Sequence, residues 1–128
     1  MRAGRALRQI VIARLRDQIP GVRVVDKPTE KTPMPYIVLG PSYWVNDDAE
    51  CIEAREVTLQ IDAFDRSSNK GSLEDLTDDI STALRGWSDE DELTMHPIQV
   101  ETVRVTDDPD GMSVHGIVIV RAMVESDG

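Results

Sequence analysis

The sequence predicts a single α/β (α+β) domain spanning residues 1–128, with elements in the order α-β-β-β-α-β-β. Three observations support this prediction. Two segments repeat apolar residues at helical spacing, and several shorter segments alternate apolar and polar residues or run apolar between turn residues, as strands do. The chain has 128 residues, 40% of them hydrophobic, which suits one domain with one core.

The last third of the chain predicts a β-hairpin made of Ile98–Val105 and Val114–Glu125. Between these strands, Asp107–Gly111 supplies a proline with a preset φ, carboxylates that accept hydrogen bonds from turn amides, and a glycine suited to positive φ. The second strand is apolar on both faces, which is typical of a strand in the middle of a sheet. One face carries Val114, Gly116, Val118, Val120, Ala122 and Val124, and the other carries Ile117, Ile119 and Met123.

Each predicted helix has one apolar face and a clear end. The first helix runs from about Arg2 to Gln18, because Pro20 and the glycine after it cannot continue the hydrogen-bond ladder. The second helix has Ser72 as its expected N-cap, acidic residues in its first turns and Arg85-Gly86 at its end. The apolar faces comprise Leu7, Ile10, Val11, Leu15 and Ile19 in the first helix, and Leu73, Leu76, Ile80, Ala83 and Leu84 in the second.

Three strands are predicted between the helices. Val22–Val25 is a short edge strand, and Tyr36–Gly40 is an apolar strand that Pro35 opens and Pro41 closes. Glu56–Phe64 alternates apolar and polar residues, the pattern of a strand with one face on the core. We expect the last two strands to pair in antiparallel orientation.

The connecting segments are polar. Asp26–Pro35 contains three prolines and predicts an extended loop, and Ser42–Ala54 predicts a long, mobile hairpin tip in which an additional strand or arm can begin. Asp65–Gly71 is a polar connector, and Trp87–Pro97 is an acidic loop that leads into the closing hairpin.

Charge is distributed unevenly along the chain. The net charge is −10, yet the segment from Met1 to Arg16 carries five arginines and no acid, so the rest of the chain holds 9 basic and 24 acidic side chains. An acidic body repels phosphate backbones, which argues against binding to duplex nucleic acid through a broad surface. The basic start of the chain is either a solvated helix face or a surface that docks on an acidic partner, such as another copy of this protein.

Several classes of protein are disfavoured by what the sequence lacks. It has no apolar run as long as a membrane span requires, and arginines interrupt the apolar pattern from Met1 to Ile19, unlike a signal peptide. We therefore expect the protein to start in the cytosol. Cys51 is the single cysteine, which excludes an internal disulfide and a Cys-rich zinc site and indicates an incidental loop thiol.

The sequence contains no catalytic signature. Asp62, Asp65 and Asp78 could be imagined as ligands for a hard metal ion, but their spacing matches no metal-binding loop, and solvated acids are the better interpretation. His96 and His115 occur without a serine or cysteine nucleophile motif, and no phosphate-binding glycine loop is present. We expect a protein that is not an enzyme and needs no cofactor or metal.

Several sequence blocks follow one another in a characteristic order. A basic amphipathic helix comes first. The blocks that follow are Pro35–Gly40 (PYIVLG), Asp62–Arg66 (DAFDR), a helix, Asp107–Gly111 (DDPDG) leading to His115-Gly116, and the closing Arg121–Glu125 (RAMVE). In this order the blocks resemble the tail-completion or tail-terminator proteins of long-tailed bacteriophages, prophages and gene transfer agents, and the resemblance covers nearly the whole chain.

The resemblance implies a small α/β domain with a mixed, mainly antiparallel sheet packed by helices, which assembles as a ring, commonly of six subunits, on the tail tube. Such a ring would end tube polymerisation and present the surface that joins the head through the neck. The implied partners are further copies of the chain, the tail-tube protein and a head-tail connector or neck protein. DNA would pass through without specific binding, and no membrane is involved. The implied locations are the head-proximal end of the virion tail and, during assembly, the host cytoplasm.

From this resemblance and from residue type we select five contact candidates. Arg5 and Arg8 are candidates for subunit contacts, and Tyr43, Trp44 and Trp87 for contacts with the tail tube or neck, because aromatic side chains are enriched in interfaces. Two alternatives stay open at this point. One is a metal-dependent hydrolase built on the three aspartates named above, and the other is a soluble binding module that acts as a monomer or dimer.

Overall fold

Two helices lie on one face of a six-stranded sheet, and no element formed by the described residues covers the opposite face, which we call the uncovered face. The computed structural model describes residues 2–49, 52–89 and 94–125. The elements are α1 (Ala3–Gln18), β1 (Arg23–Val25), β2 (Tyr36–Asn46), β3 (Ala54–Arg66), a 3₁₀ turn (Ser67–Asn69), α2 (Lys70–Leu84), β4 (Thr94–Met95), β5 (Gln99–Asp107) and β6 (Ser113–Glu125).

The sheet has the strand order β1-β2-β3-β6, and both β5 and β4 pair with the far side of β6. Strands β1 and β2 are parallel, and every other pair is antiparallel. The predicted class, the closing hairpin, the short edge strand and the antiparallel pairing of β2 with β3 are therefore confirmed. Among the described residues, no helix is long and apolar enough to cross a membrane.

Strand β6 is the central strand, as its two apolar faces predict. Its even-numbered residues from Val114 to Val124 point toward the helices and are buried, while Ile117, Ile119 and Met123 lie half-buried on the uncovered face. The helix side is the main core because α2 packs over β3, β5 and β6, and α1 packs over β1 to β3 and against α2. The predicted apolar faces of both helices are buried there.

Helix α2 approaches the sheet closely at Gly116, which has no side chain. A Cβ at Gly116 would lie 2.6 Å from Cγ2 of Thr77 in α2. Real Cβ atoms do not approach that closely, so the helix packs at this distance because residue 116 is glycine.

Strand β2 is longer than predicted. It continues through Pro41, the residue that the sequence predicts as its end, and reaches Asn46. The register against β3 shifts between Leu39 and Ser42, so the proline lies in a bulge. Proline is tolerated at bulges and on edge strands because no ladder hydrogen bond is required of its nitrogen there. Much of the predicted hairpin tip is therefore strand.

Helix α2 and the two long connectors also differ from the prediction. The helix begins at Lys70 with Asn69 as its N-cap, so Ser72 lies inside the first turn, and that first turn contains no acidic residue. The short strand β4 lies within the predicted loop Trp87–Pro97. Residues 50 and 51 of the predicted tip, which include the cysteine, and residues 90–93 of that loop lie outside the described residues.

Candidate assembly surface

The outer part of β2, residues 42–46, exposes large apolar side chains; we call it the distal β2 segment. Tyr43, Trp44 and Val45 are 64%, 46% and 52% exposed, whereas Ile37 and Leu39 in the inner part of the strand are buried. Tyr43 and Val45 lie on the uncovered face opposite Thr58 and Glu56 of β3, and Trp44 points to the helix side. Exposed aromatic and β-branched side chains in one strand are a feature of interaction surfaces.

The bulge from which the distal β2 segment departs is bonded to α1 on the helix side and closely packed on the uncovered face. On the helix side, Arg8 Nη2 donates to Gly40 O at 2.8 Å and to Ser42 Oγ at 3.3 Å, while Nη1 lies 3.5 Å from Asp26 Oδ1. On the uncovered face, a Cβ at Gly40 would lie 2.5 Å from Asp62 Oδ2. A side chain at position 40 would therefore displace the Asp62 carboxylate and crowd the Gln60 carbonyl, and Arg8 acts within its own chain.

Asp62 belongs to a row of polar and aromatic side chains that crosses β6, β3 and β2. Its Oδ1 atom lies 2.8 Å from His115 Nε2 and accepts a hydrogen bond of 2.9 Å from Gln60 Nε2. The His115 ring stacks on Phe64 at 4.3 Å between centroids, and Phe64 lies 5.4 Å from Tyr36. This row fixes the inner part of the uncovered face.

The turn between β5 and β6 lies beside Tyr36. The pKa of the Tyr36 phenol is raised, first by burial and then by the negative charges of Asp108 and Asp110. The pKa of Asp110 is lowered, chiefly because its carboxylate accepts a hydrogen bond from the Met112 N–H and also from the Ser113 hydroxyl. Gly111 has φ of 72°, as the turn sequence predicts.

The three aspartates of the hydrolase alternative are not brought together. Asp62 and Asp65 are three residues apart in β3, so they point to opposite faces. Asp65 Oδ1 accepts from the Arg66 N–H at 2.7 Å and lies 3.3 Å from Asn69 Nδ2, while Asp78 is exposed on α2. In the part of the chain that the structure describes, no three His, Cys, Asp or Glu side chains are grouped as metal ligands.

Most of the basic charge of α1 is used inside the chain. Arg14 Nε donates to Ala83 O at 2.9 Å, and Arg16 Nη2 donates to Val24 O at 2.8 Å, in addition to the contacts of Arg8. Arg2 and Arg5 are exposed, and their side chains form no hydrogen bond or ion pair with the described residues. The two interpretations of the basic segment, a solvated helix face and a docking surface, do not predict these contacts within the chain. The acceptors are backbone carbonyls, whose positions the sequence does not indicate.

The two predicted tryptophan contacts lie in different environments. Trp87 is half-buried against the core, its carbonyl accepts from the Ile98 N–H at 2.9 Å, and the Arg14 guanidinium lies 5.0 Å from its ring centroid. Trp44 is much more exposed, with the Arg55 guanidinium 3.8 Å from its ring centroid. The contact roles of Arg5, Arg8, Tyr43, Trp44 and Trp87 stay predictions.

A shallow trough crosses the uncovered face next to Tyr43. It has a volume of about 170 Å³, and its walls include Pro41, Thr58, Glu101 and Ile119. Beyond it, a charged network runs over the same face, with Arg121 3.4 Å from Glu56 and 3.3 Å from Glu101.

An uncovered sheet face next to an exposed aromatic strand is typical of a subunit that assembles with other proteins. Residues 5–125 match the family described as Tail completion protein gp17, and the chain belongs to this family. It is therefore a structural protein of the phage tail, as the resemblance in sequence implied.

The fold is similar to that of a chain in a solved structure titled "Virion of native gene transfer agent (GTA) particle". The two chains share 14% sequence identity and superpose with a TM-score of 0.69 over 91% of this chain and 85% of the other. At that identity the similarity establishes the fold. No curated protein sequence matches the chain.

Proposed function

We propose that this protein forms a ring, with six as the expected number of copies, on the head-proximal end of the phage tail tube. There it stops the addition of tube subunits and offers the surface that joins the neck of the head. Its membership of the tail-completion family is the observation that carries this proposal.

Size and charge support a ring over a single copy. A folded chain of 128 residues has a radius of gyration of about 14 Å and cannot by itself enclose a channel as wide as DNA. A ring of copies can do so. The net charge of −10 would let DNA pass without adhering if acidic side chains face the lumen, because like charges repel. A ring lumen lined by arginines would contradict the proposal that acidic side chains face the DNA.

The distal β2 segment is the proposed assembly contact, either with the tube or neck or with a neighbouring copy of the chain. Tyr43 and Trp44 are exposed and adjacent, and the bulge behind them is bonded by Arg8 and packs closely against Asp62, so the segment can be presented in one orientation. A contact surface that is already ordered loses less entropy on binding than a mobile loop.

The experiment measures the molar mass of the purified protein by light scattering across a concentration series, with negative-stain images before and after addition of tail tubes. We expect rings of about six copies, either free or on the ends of the tubes. A protein that stays a monomer or dimer and leaves tube ends bare would contradict the proposal and favour a soluble binding module.

A double variant and a control variant test the role of the distal β2 segment. Replacing both Tyr43 and Trp44 by alanine should remove binding to tube ends or to the neck while the protein stays folded. Met112→Ala is the matched control, because Met112 is a large apolar side chain that is 74% exposed on the distant β5–β6 turn. Equal binding by the double variant and the control would exclude the segment as the contact.

A further inference from the structure

We infer that neighbouring copies join by pairing the distal β2 segment of one subunit with β5 of the next, so that the sheets continue from subunit to subunit. This inference rests on the proposed ring and specifies its subunit contact. Two strand edges carry it. β1 pairs only with Tyr36–Val38, so residues 42–46 have β3 on one side alone, and β5 pairs only with β6 among the described residues.

The β2 edge lacks the usual protection against pairing. Exposed edge strands are normally blunted by charged side chains, proline or a bulge, because their free N–H and C=O groups can bind another strand. Here Pro41 and the bulge lie at the inner end of the free edge, and no residue of Tyr36–Asn46 is charged. Strand β5, by contrast, carries Glu101, Arg104 and Asp107.

The two edges are oriented to pair. Following the antiparallel ladder from β2 through β3 and β6 to β5, β2 and β5 run in opposite directions. They also lie at opposite ends of the sheet, so a contact between them is head-to-tail. Head-to-tail contacts close into rings when the rotation between subunits permits it. Pairing through main-chain hydrogen bonds is an established mode of strand recognition.

One register joins side chains of matching chemistry. Trp44 and Val103 both point to the helix side and are 46% and 40% exposed at opposite edges. Aligning them buries both, and it places Tyr43 opposite Arg104 on the uncovered face, where the guanidinium can lie over the ring. The same register places Ser42 opposite Val105 on the helix side.

Charges at the end of the pairing are also complementary. In this register Asp107 of one subunit reaches the bulge at the inner end of the free edge of the other, where Arg8 binds the Gly40 carbonyl. Arg5 is one helical turn before Arg8 on the same side of α1, so it lies near the incoming acidic end of β5. The Asp107 side chain is 74% exposed, although it pairs with Lys70 at 2.9 Å. Arg5 thus gains a role as a charge contact across subunits.

The test is a disulfide cross-link between copies, in a background where Cys51, the single cysteine of the chain, is replaced by serine. Ser42→Cys with Val105→Cys places two thiols directly opposite each other across the proposed pairing, within the Cα separation that a disulfide tolerates. The matched control is Ser42→Cys with Thr106→Cys, because residue 106 points to the other face of the sheet. Samples are oxidised with and without tail tubes and separated under denaturing conditions.

We expect a ladder of covalent dimers to hexamers for the first pair and mainly monomer for the control. Rings that form by light scattering but give no ladder would overturn the edge pairing and leave the proposed ring intact. Equal cross-linking of both pairs would also overturn the stated register. The absence of any assembly in the wild-type chain would overturn the ring and the pairing together.

Discussion

The inner and distal parts of β2 have different surroundings, although they belong to one strand. The inner part, up to Leu39, is paired on both sides over Tyr36–Val38, and Ile37 and Leu39 lie in the core. The distal part, after Pro41, is paired on one side, and every residue of it is exposed. The bulge at Gly40 and Pro41 separates the two parts.

This difference separates side chains that stabilise the fold from side chains that stay accessible at the surface. Burial of apolar area stabilises the inner part, whereas the apolar side chains of the distal part contribute little to folding and are available to a partner. Mutations on the two sides of the bulge should therefore affect different measurements.

The largest effect is expected from the inner part. Ile37→Ala removes a fully buried side chain and should lower the free energy of unfolding by about 2–5 kcal/mol, as large-to-small core substitutions do. Val45→Ala, which is the matched change in the distal part, should alter stability by about 0.5 kcal/mol or less. Urea denaturation followed by circular dichroism measures both. Similar losses for the two variants would remove the distinction between the parts.

The next effect is expected at the bulge itself. In Gly40→Ala the new Cβ meets Asp62 Oδ2 at 2.5 Å and Gln60 O at 3.0 Å, so the strand or the aspartate must move, at a cost of about 1–3 kcal/mol. Gly4→Ala is the control, because nothing beyond its chain neighbours and its own helix backbone lies within 4 Å of its Cβ position and alanine favours the helix by about 1 kcal/mol. Thermal melts should thus shift in opposite directions. A neutral Gly40→Ala would show that the bulge tolerates a side chain.

The inner part and the helices were predictable because their signals are local. The period of Leu7 to Leu15 determines which face of α1 is buried, and the double apolar pattern of β6 indicates its central position. The Asp107–Gly111 turn is specified by residues that satisfy its own amides. Each of these features can be read without knowing which segments are neighbours.

The bulge and the contacts of the site depend on neighbours, so sequence patterns do not reveal them. Pro41 normally ends a strand, and only the placement of β2 at an edge of the sheet permits the strand to continue. Arg8 and Gly40 are 32 positions apart, and Asp62 and His115 are 53 apart. The sequence provides the charge of Arg8 but not the position of the carbonyl that it binds, which is why the sequence alone suggests a subunit contact for it.

Arg5 and Arg8 provide the next test, since only Arg8 has partners in its own chain among the described residues. Arg8→Met keeps the aliphatic stem but leaves the Gly40 carbonyl without its donor, which should cost about 1–2 kcal/mol of unfolding free energy. Arg5→Met should leave stability within about 0.5 kcal/mol, because the side chain is exposed. Ring assembly, followed by light scattering at increasing salt, should weaken in Arg5→Met. A loss of stability in Arg5→Met, or no loss in Arg8→Met, would contradict the assignment of Arg8 to a contact within the chain and of Arg5 to a contact between subunits.

The smallest effect is expected at the turn beside Tyr36. The folded state lowers the pKa of Asp110, so the ionised carboxylate stabilises the fold above its ordinary pKa of about 4, and this stabilisation is lost as pH falls through the lower, folded value. Asp110→Asn should therefore unfold at slightly lower temperature than wild type at pH 7, and the two melting temperatures should converge as the pH is lowered below the ordinary pKa of the carboxyl group. Asp79→Asn on the exposed face of α2 is the control and should show no such convergence. If the melting temperatures of Asp110→Asn and wild type differed by the same amount at every pH, the variant would be destabilised by altered packing or hydrogen-bond geometry. The charge of Asp110 would then not stabilise the turn.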